Sequence, residues 1–450
     1  MTAFFQRMDR GLERADERLR AWLLGERAPG WAAALLTLAA FFLLMMTRTL
    51  TQLAGAEMAA YTPTVLLLCL PLAAMLAFGL RLCPKAGMLE KLGVCALCAT
   101  AMLARVSFIE RSSGDYDIYL ANWIEQLAAG SFSEGMRANI GEYNVLYQYI
   151  LFGITRLGVP ALYAVKAVSF IGDAFVAGAA AKLAGEKRGL LAFGAVLLLP
   201  TVVLNGGMFA QCDSLYAACA LWGLALSLTG KPMRAAVCFA LSLAFKLQSA
   251  FLLPIVIVLW AGGKLRVREA LVFLLTLLAV ALPALLGGKS LADIVGIYTA
   301  QTGLYTGLNY NAANFFALMD TAGLDVYAYG NFGMALALGV CAVLVTWGVR
   351  RAQALSDADL VRLSLLLVLL VVFFLPRMHE RYFYMALPLG VALACRRGGQ
   401  TIAAAVLMEL AMLASIWALA ISLPAAACMM LLAAALVLSD GNCGGEKPVL

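Results

Sequence analysis

The chain has 450 residues, of which 63% are hydrophobic and only 13% are charged. Soluble globular domains are about half apolar and roughly one quarter charged. Together with a mean hydropathy of +0.89, this balance excludes a soluble domain and predicts an integral membrane protein. Long apolar runs favour an all-α polytopic protein over a membrane barrel, whose strands would alternate. The net charge of +7 does not indicate a nucleic-acid partner, because Lys and Arg of membrane proteins collect on cytoplasmic loops.

Residues 1–28 predict an amphipathic helix that lies on the cytoplasmic surface of the membrane. Apolar residues such as Phe4, Met8 and Leu12 recur at helical spacing, and arginines occupy the opposite face. No short apolar core ends in a small-residue cleavage site, so a secretory signal peptide is not expected. Residues 29–439 predict one polytopic transmembrane catalytic domain, and residues 440–450 a short cytoplasmic tail.

Apolar runs within residues 29–439 predict roughly fourteen transmembrane helices, at about 20 residues per crossing. With the N-terminus inside, every cytoplasmic connection carries Lys or Arg, as the positive-inside rule requires. Residues 107–160 then form the first large outer loop, with interfacial helices. Residues 231–263 are predicted to be two short spans that meet at Lys246, because one long helix would bury that lysine near its centre.

The cysteines and the histidine limit metal and redox chemistry. Eleven cysteines form no evident framework, and most fall inside predicted spans, where a thiol behaves as a small hydrophobe. Cys95 and Cys98 match C-x-x-C, but they lie in an apolar helix without a second ligand pair. The chain has a single histidine, His379, which excludes a polyhistidine metal site.

Five polar segments fall on the predicted outer face, whereas the cytoplasmic connections are short and simply basic. Chemistry is therefore expected on the outer side. Each segment also has a structural explanation: Ser113 and Asp213 suit helix N-termini, and Arg377 and Arg381 suit the membrane interface. The segments are Ser112–Tyr119 with the loop to Asn144, Asn205–Ser214, Phe245–Gln248, Tyr305–Asn314 and Pro376–Tyr382.

Transfer of a sugar from a lipid phosphate would use the residue types in these segments. A carboxylate, Asp115 or Asp117, would deprotonate the acceptor hydroxyl as it attacks. Cations would stabilise charge on the departing phosphate, and amides, acids and aromatic rings would bind sugar hydroxyls. Asp115 and Asp117 could also hold a divalent cation, Mg²⁺ or Mn²⁺. The predicted phosphate-binding residues are Lys246, Arg377, His379 and Arg381. The predicted sugar- or acceptor-binding residues are Gln211, Asp213, Gln248, Asn309, Asn311, Asn314, Glu380 and Tyr382.

From about Arg105 to Tyr384, the chain resembles bacterial relatives of the mannosyltransferase that adds the second mannose in GPI-anchor synthesis, members of the GT-C superfamily. The resemblance implies a GT-C-like helical bundle and a polyprenyl- or dolichyl-phosphate sugar donor. It also implies inverting transfer of a hexose, with mannose as the sugar of the family, on the extracytoplasmic face of the cell membrane. By position, the essential acid is Asp115. The acceptor, a glycan, lipid or protein, is not specified. The motifs that carry the resemblance are Ser113–Tyr116, Leu199–Asn205, Gln211–Ser214, Phe245–Gln248, Leu308–Asn314 and Pro376–Phe383.

The chain departs from the family pattern at two places. Phe209-Ala210 stands where a Trp-Gly pair is usual, and Glu142–Leu146 lacks the prolines of the corresponding family segment. Neither change removes a charged group, so the differences bear on the substrate rather than on the chemistry.

Two other functions fit a polytopic protein with outer polar loops. A transporter or flippase of a lipid-linked saccharide would predict internal repeats and broken helices in corresponding halves. No repeat is visible in the sequence. A polysaccharide polymerase or ligase would predict a long outer loop rich in arginine, whereas residues 287–329 contain Lys289 as their single cation.

Overall fold

The computed structural model describes residues 28–52, 58–303, 306–319, 323–416 and 422–440, together with residues 14, 17 and 321. The predicted surface helix at residues 1–28 lies almost wholly outside the described residues, and so does the tail beyond Asp440.

The described chain is almost entirely helical, which confirms the predicted all-α class. The first ten α-helices are α1 (Ala28–Gln52), α2 (Met58–Leu82), α3 (Met88–Val106), α4 (Ala121–Ala128), α5 (Phe132–Arg137), α6 (Val145–Ile154), α7 (Ala161–Ala184), α8 (Gly189–Leu198), α9 (Pro200–Gly207) and α10 (Asp213–Leu228). The others are α11 (Pro232–Phe245), α12 (Ile255–Ala261), α13 (Val267–Leu286), α14 (Leu291–Gly303), α15 (Val326–Arg351), α16 (Asp357–Phe374), α17 (Ala386–Arg397), α18 (Gln400–Ile416) and α19 (Ser422–Ser439).

The helix lengths support a membrane-embedded protein but do not confirm fourteen spans. Among the described residues, five helices are long and apolar enough to cross a bilayer by themselves: α1, α2, α7, α13 and α15. The bent pair of α8 and α9 would make a sixth. Several other apolar helices are only 10–17 residues long.

Helix α7 is buried against α2, α8, α10 and α17. Its small residues permit this close packing, as is usual at helix contacts in membranes. A Cβ added to Gly172 would lie 2.4 Å from the hydroxyl of Ser214 on α10, and one added to Gly178 would lie 2.9 Å from the ring of Phe78 on α2. The central helix therefore tolerates little change in side-chain volume.

Two apolar segments are broken within the fold. Helices α8 and α9 meet at Pro200 with a bend of 52°. The carboxylate of Glu409 accepts hydrogen bonds from the backbone N–H (2.9 Å) and the hydroxyl (2.6 Å) of Thr201, and so caps the new helix N-terminus. The second break follows α11, where Lys246 is extended and a 3₁₀ helix, Leu247–Phe251, comes next. This break lies where the sequence predicted that two helices would meet.

A short parallel strand pair joins two distant loops. Strand β1 (Asn309–Tyr310) pairs with β2 (Met378–His379), with Asn309 opposite Met378 and Tyr310 opposite His379. The pair ties the loop before α15 to the loop after α16. Nothing in the hydrophobic pattern predicted these strands.

Candidate functional site

Three of the predicted polar segments are hydrogen-bonded to one another. The hydroxyl of Ser113 donates to the carbonyl oxygen of Phe209 at 2.9 Å. The amide of Gln211 donates to Asp115 Oδ2 at 3.0 Å, and a terminal nitrogen of Arg381 lies 2.9 Å from the same oxygen. Residues 113–115, 209–211 and 381, far apart in sequence, therefore form one site.

Asp115 stands at the start of a helical segment in the loop after α3. Ser113 accepts a hydrogen bond from the backbone N–H of Tyr116 at 3.2 Å, and a π-helical turn, Tyr116–Leu120, follows. Such turns are frequent at functional sites. The Asp115 side chain is 43% exposed, and both of its contacts with other described residues end on Oδ2. Oδ1 is thus the oxygen that faces open space and could accept a proton.

A buried ion pair, Lys246 with Asp213, lies next to Arg381. Lys246 Nζ lies 2.6 Å from Asp213 Oδ1, and the two side chains are 6% and 0% exposed. Asn205 donates to the other oxygen of Asp213 at 3.1 Å. The Lys246 ammonium is also 5.5 Å from the ring centre of Tyr143 and 5.9 Å from that of Tyr382. Lys246 was predicted to bind phosphate, but Asp213 already neutralises most of its charge.

Arg381 connects the exposed acid to the buried pair. Besides Asp115, it lies 3.2 Å from Glu380 Oε1 and 3.9 Å from Asp213 Oδ2, and its side chain is 14% exposed. The acids around it raise the pKa of Arg381 far above its usual range, against the opposing effect of burial. Arg381 is therefore a permanent positive charge held between three carboxylates.

His379 is stacked on Tyr310, its partner residue across the strand pair, with ring centres 5.0 Å apart. Burial, reinforced by the positive charge of Arg381, lowers the pKa of His379 to about 4. The imidazole is then neutral at pH 7. The role of His379 in binding a phosphate stays a prediction, and the structure adds that the imidazole would make this contact as a neutral ring.

The backbone around the site is locally strained. Among the described residues, Ala210, Asn311 and Arg377 are the non-glycine positions with φ near +60°. Ala210 and Arg377 line the cavity described next, and Asn311 forms an isolated bridge with His379. Left-handed conformations of such residues are unfavourable and cluster at functional sites.

A cavity of about 860 Å³ opens beside Asp115. Its polar end is lined by Asp115, Glu142, Gln211, Lys246, Gln248, Arg377, His379, Arg381 and Tyr382. It continues as an apolar channel between α15, α16 and the segment after Lys246. The channel is lined by Phe251, Pro254, Met334, Leu338, Cys341, Val371 and Leu375. One cavity therefore joins a charged end to an apolar channel.

A second cavity of about 390 Å³ lies on the other side of Asp115. Its lining is mainly polar and is contributed by Ser113, Thr201, Asn205, Glu380 and Tyr384, with Met412 and Ile416 from α18. Both cavities are lined by Asp115, Tyr119, Phe209, Gln211, His379 and Arg381. These six residues form the wall between the two cavities.

Several predicted site residues lie elsewhere. Asn309 closes its own turn with the backbone of Ala312, and buried Asn314 bonds the backbone of Phe316 and Leu375. Neither they nor Asn311 line the two cavities, so the sugar-binding role of the three asparagines stays a prediction, while the contacts of Asn309 and Asn314 stabilise loop structure. Tyr310 is the residue of this segment that faces the large cavity.

Asp117 is also separated from the site. Its carboxylate accepts a hydrogen bond from the hydroxyl of Ser112 at 2.9 Å, and it lines neither cavity. A divalent ion shared by Asp115 and Asp117 stays a prediction. The described residues also contain no cluster of three or more possible His, Cys, Asp or Glu ligands. We therefore derive no step through a metal.

Sequence analysis missed the buried charges beneath the site. Lys166 Nζ on α7 donates to the carbonyl oxygens of Phe108 (2.7 Å), Ile109 (3.0 Å) and Arg111, and so fixes the loop that leads to Asp115. Two turns further along α7, Asp173 pairs with Arg105 at 2.8 Å. The signal was present, because a lysine or aspartate inside an apolar run is a candidate functional residue by default.

Comparison with known proteins adds no further assignment. No family model matches the chain, and no curated protein matches it either. Arguments about its chemistry therefore depend on the site geometry described above.

Proposed function

We propose that this protein is a glycosyltransferase that moves a hexose from a polyprenyl-phosphate donor to a hydroxyl group, with inversion. The observation that carries the proposal is the large cavity, in which two acids, two arginines and a lysine adjoin an apolar channel. A lipid phosphate has the same division between a charged head and an apolar tail. Mannose is the sugar that the family resemblance favours.

The charges at the polar end suit this donor. Arg377 and Arg381 line the cavity and would face the phosphate, while the isoprenoid tail would lie along α15 and α16. Lys246 would contribute less charge, because Asp213 is only 2.6 Å away. Fixed cations that face a leaving phosphate stabilise the charge that develops on it in the transition state.

The reaction would proceed in one displacement. The acceptor oxygen attacks the anomeric carbon, the bond from that carbon to the phosphate oxygen breaks, and the phosphate leaves with the electron pair. Asp115 Oδ1 accepts the acceptor's hydroxyl proton. Because attack and departure occur on opposite faces of the anomeric carbon, the configuration is inverted. The carboxylate stands between the two cavities, which suits a base that must meet both substrates.

The proposed setting is the extracytoplasmic face of the cell membrane. The support is the charge pattern of the sequence, in which the basic connections fall on the opposite side of the predicted spans from the site segments.

The test is transfer by the purified full-length protein in lipid, with mannose, glucose, galactose and arabinose polyprenyl phosphates as donors. Asp115→Asn keeps the size of the side chain but removes the base, so we expect transfer to fall at least about 100-fold. Asp117→Asn is the matched control, because Asp117 lines neither cavity, and should stay near the wild-type rate. Full activity in Asp115→Asn, or an equal loss in both variants, would contradict the assignment.

Transport of a lipid-linked saccharide is the second candidate. Two broken apolar segments favour it, at Pro200 and at Lys246, because transporters bind substrates at interrupted helices. The same preparation separates the two functions. A transporter would move the donor across a sealed vesicle without cleaving the sugar–phosphate bond, whereas a transferase would release polyprenyl phosphate.

A further inference from the structure

The smaller cavity is lined by an asparagine whose buried amide oxygen has no hydrogen-bond partner among the described residues. Asn205 lines this cavity and is 6% exposed. Its nitrogen donates to Asp213 Oδ2 at 3.1 Å, and this bond fixes the amide orientation because a carboxylate only accepts. Its Oδ1 is left without a hydrogen bond. Buried polar atoms are nearly always paired, so a ligand or water that donates to Oδ1 would complete this site.

Other groups around the smaller cavity are also hydrogen-bond acceptors. Glu380 and Asp115 contribute carboxylates. The hydroxyl of Thr201 donates to Glu409 at 2.6 Å, which leaves its lone pairs for other contacts. The cation Arg381 is already within 3.2 Å of both Glu380 and Asp115. A ligand that fits this lining must therefore donate hydrogen bonds, and the two carboxylates disfavour a net negative charge on it.

We propose that the smaller cavity binds the acceptor, as a neutral or amino-bearing sugar unit that donates hydrogen bonds to Asn205 Oδ1 and Glu380. The inference rests on the proposed function, because Asp115 in the shared wall would receive the acceptor's proton. The cavity volume of about 390 Å³ is at the lower end of the range for small-molecule sites, roughly 300–1,000 Å³. A sugar headgroup suits that volume better than a lipid tail.

The donor phosphate is assigned to the other cavity by charge. Lys246 and Arg377 line the large cavity but not the small one, and the apolar channel also belongs to the large cavity. A phosphorylated acceptor headgroup would meet two carboxylates in the small cavity and only the paired Arg381. Such a headgroup is therefore expected to bind poorly.

Cysteine protection tests the two cavities separately without requiring activity. Cys341 lines the apolar channel of the large cavity, and Ile416→Cys places a thiol in the small one. The full-length Ile416→Cys protein in lipid nanodiscs is labelled with a maleimide, and each site is quantified by peptide mass. We expect methyl mannoside or glucosamine to slow labelling at position 416 about tenfold at saturation. Polyprenyl phosphate should slow labelling of Cys341 instead, and mannose 6-phosphate should protect neither position.

Asn205→Ala in the Ile416→Cys background tests the residue that carries the inference. We expect the concentration of sugar that gives half-protection at position 416 to rise about tenfold, which corresponds to about 1.4 kcal/mol. Protection of Cys341 by polyprenyl phosphate should persist and shows that the variant is folded. Unchanged sugar protection in Asn205→Ala would overturn the inference.

The outcomes separate this inference from the proposed function. Protection of Cys341 without sugar protection at position 416 would overturn the acceptor site while it supports the donor site. Protection of position 416 by polyprenyl phosphate, or by mannose 6-phosphate in preference to neutral sugars, would also overturn the acceptor site. A failure of polyprenyl phosphate to protect Cys341 would count against the proposed function itself.

Discussion

Lys246→Met should destabilise the folded protein by about 3 kcal/mol, because it leaves the carboxylate of Asp213 buried without its main counterion. The Lys246–Asp213 separation is 2.6 Å, and the side chains are 6% and 0% exposed. Removing one partner of such a pair costs about 3–5 kcal/mol. The lower value is expected because Asn205 at 3.1 Å and Arg381 at 3.9 Å still face the same carboxylate.

Maleimide labelling of Cys98 measures this loss, because Cys98 is completely buried and reacts only when the protein opens. A change of 3 kcal/mol corresponds to labelling roughly 100-fold faster. Adding Asp213→Asn should restore most of the stability, since the double variant leaves no buried charge at the pair. Lys182→Met makes the same substitution at an exposed lysine and is the matched control. A Lys246→Met protein that labels at the wild-type rate would refute the claim that the pair is buried and essential.

The remaining predictions concern His379 and Lys166. Burial lowers the pKa of His379 from 6.5 to about 4. Between these pH values the unfolded chain therefore binds more protons than the folded protein. The free energy of unfolding should decrease as the pH falls from about 6.5 towards 4. Denaturation at several pH values should show that His379→Gln removes part of this decrease; an unchanged pH dependence would contradict it. Lys166→Met leaves the carbonyl oxygens of Phe108, Ile109 and Arg111 without their common donor, at a cost of about 1–3 kcal/mol. Amide hydrogen exchange in residues 107–119 should then become at least tenfold faster while α13 is unaffected, and unchanged exchange would show that Lys166 does not hold this loop.

The two broken segments and the strand pair explain how a mainly helical protein builds an asymmetric polar site. Each break interrupts a run of main-chain hydrogen bonds and brings polar groups into an apolar interior. Glu409 accepts hydrogen bonds from Thr201 at the new helix N-terminus, and Asp213 neutralises the charge of Lys246. Unsatisfied groups of this kind would be costly away from water, so the partners of each break are part of the fold.

The class of the protein followed from the sequence alone. The high hydropathy and low charge predict an all-α membrane protein, because backbone N–H and C=O groups in lipid must be hydrogen-bonded within helices. The break at Lys246 was also predictable, since a lysine near the centre of one long apolar helix is unfavourable. The polar segments around Asp115, Gln211 and Arg381 could be selected for the same reason, because polar residues are expensive in an otherwise apolar chain.

The number of spans and the role of each polar residue required the tertiary structure. Hydropathy counts apolar residues but does not reveal where a helix bends, so fourteen spans were predicted where the described residues give five helices of sufficient length, or six with the bent pair. Likewise, Asn309 and Asn314 had the right chemistry for sugars, yet their amides are used by nearby backbone groups.

Side-chain direction and long-range pairing decided the rest. Asp115 and Asp117 are two residues apart and chemically identical, but only Asp115 meets Gln211 and Arg381. The sequence names which groups can ionise, while the neighbours that pair them, such as Asp213 for Lys246, come from segments that meet only in the folded chain. The sequence could identify the residues of this site. Because charge interactions depend on distance and burial, only the tertiary structure could distinguish the exposed Asp115 from the buried Asp213.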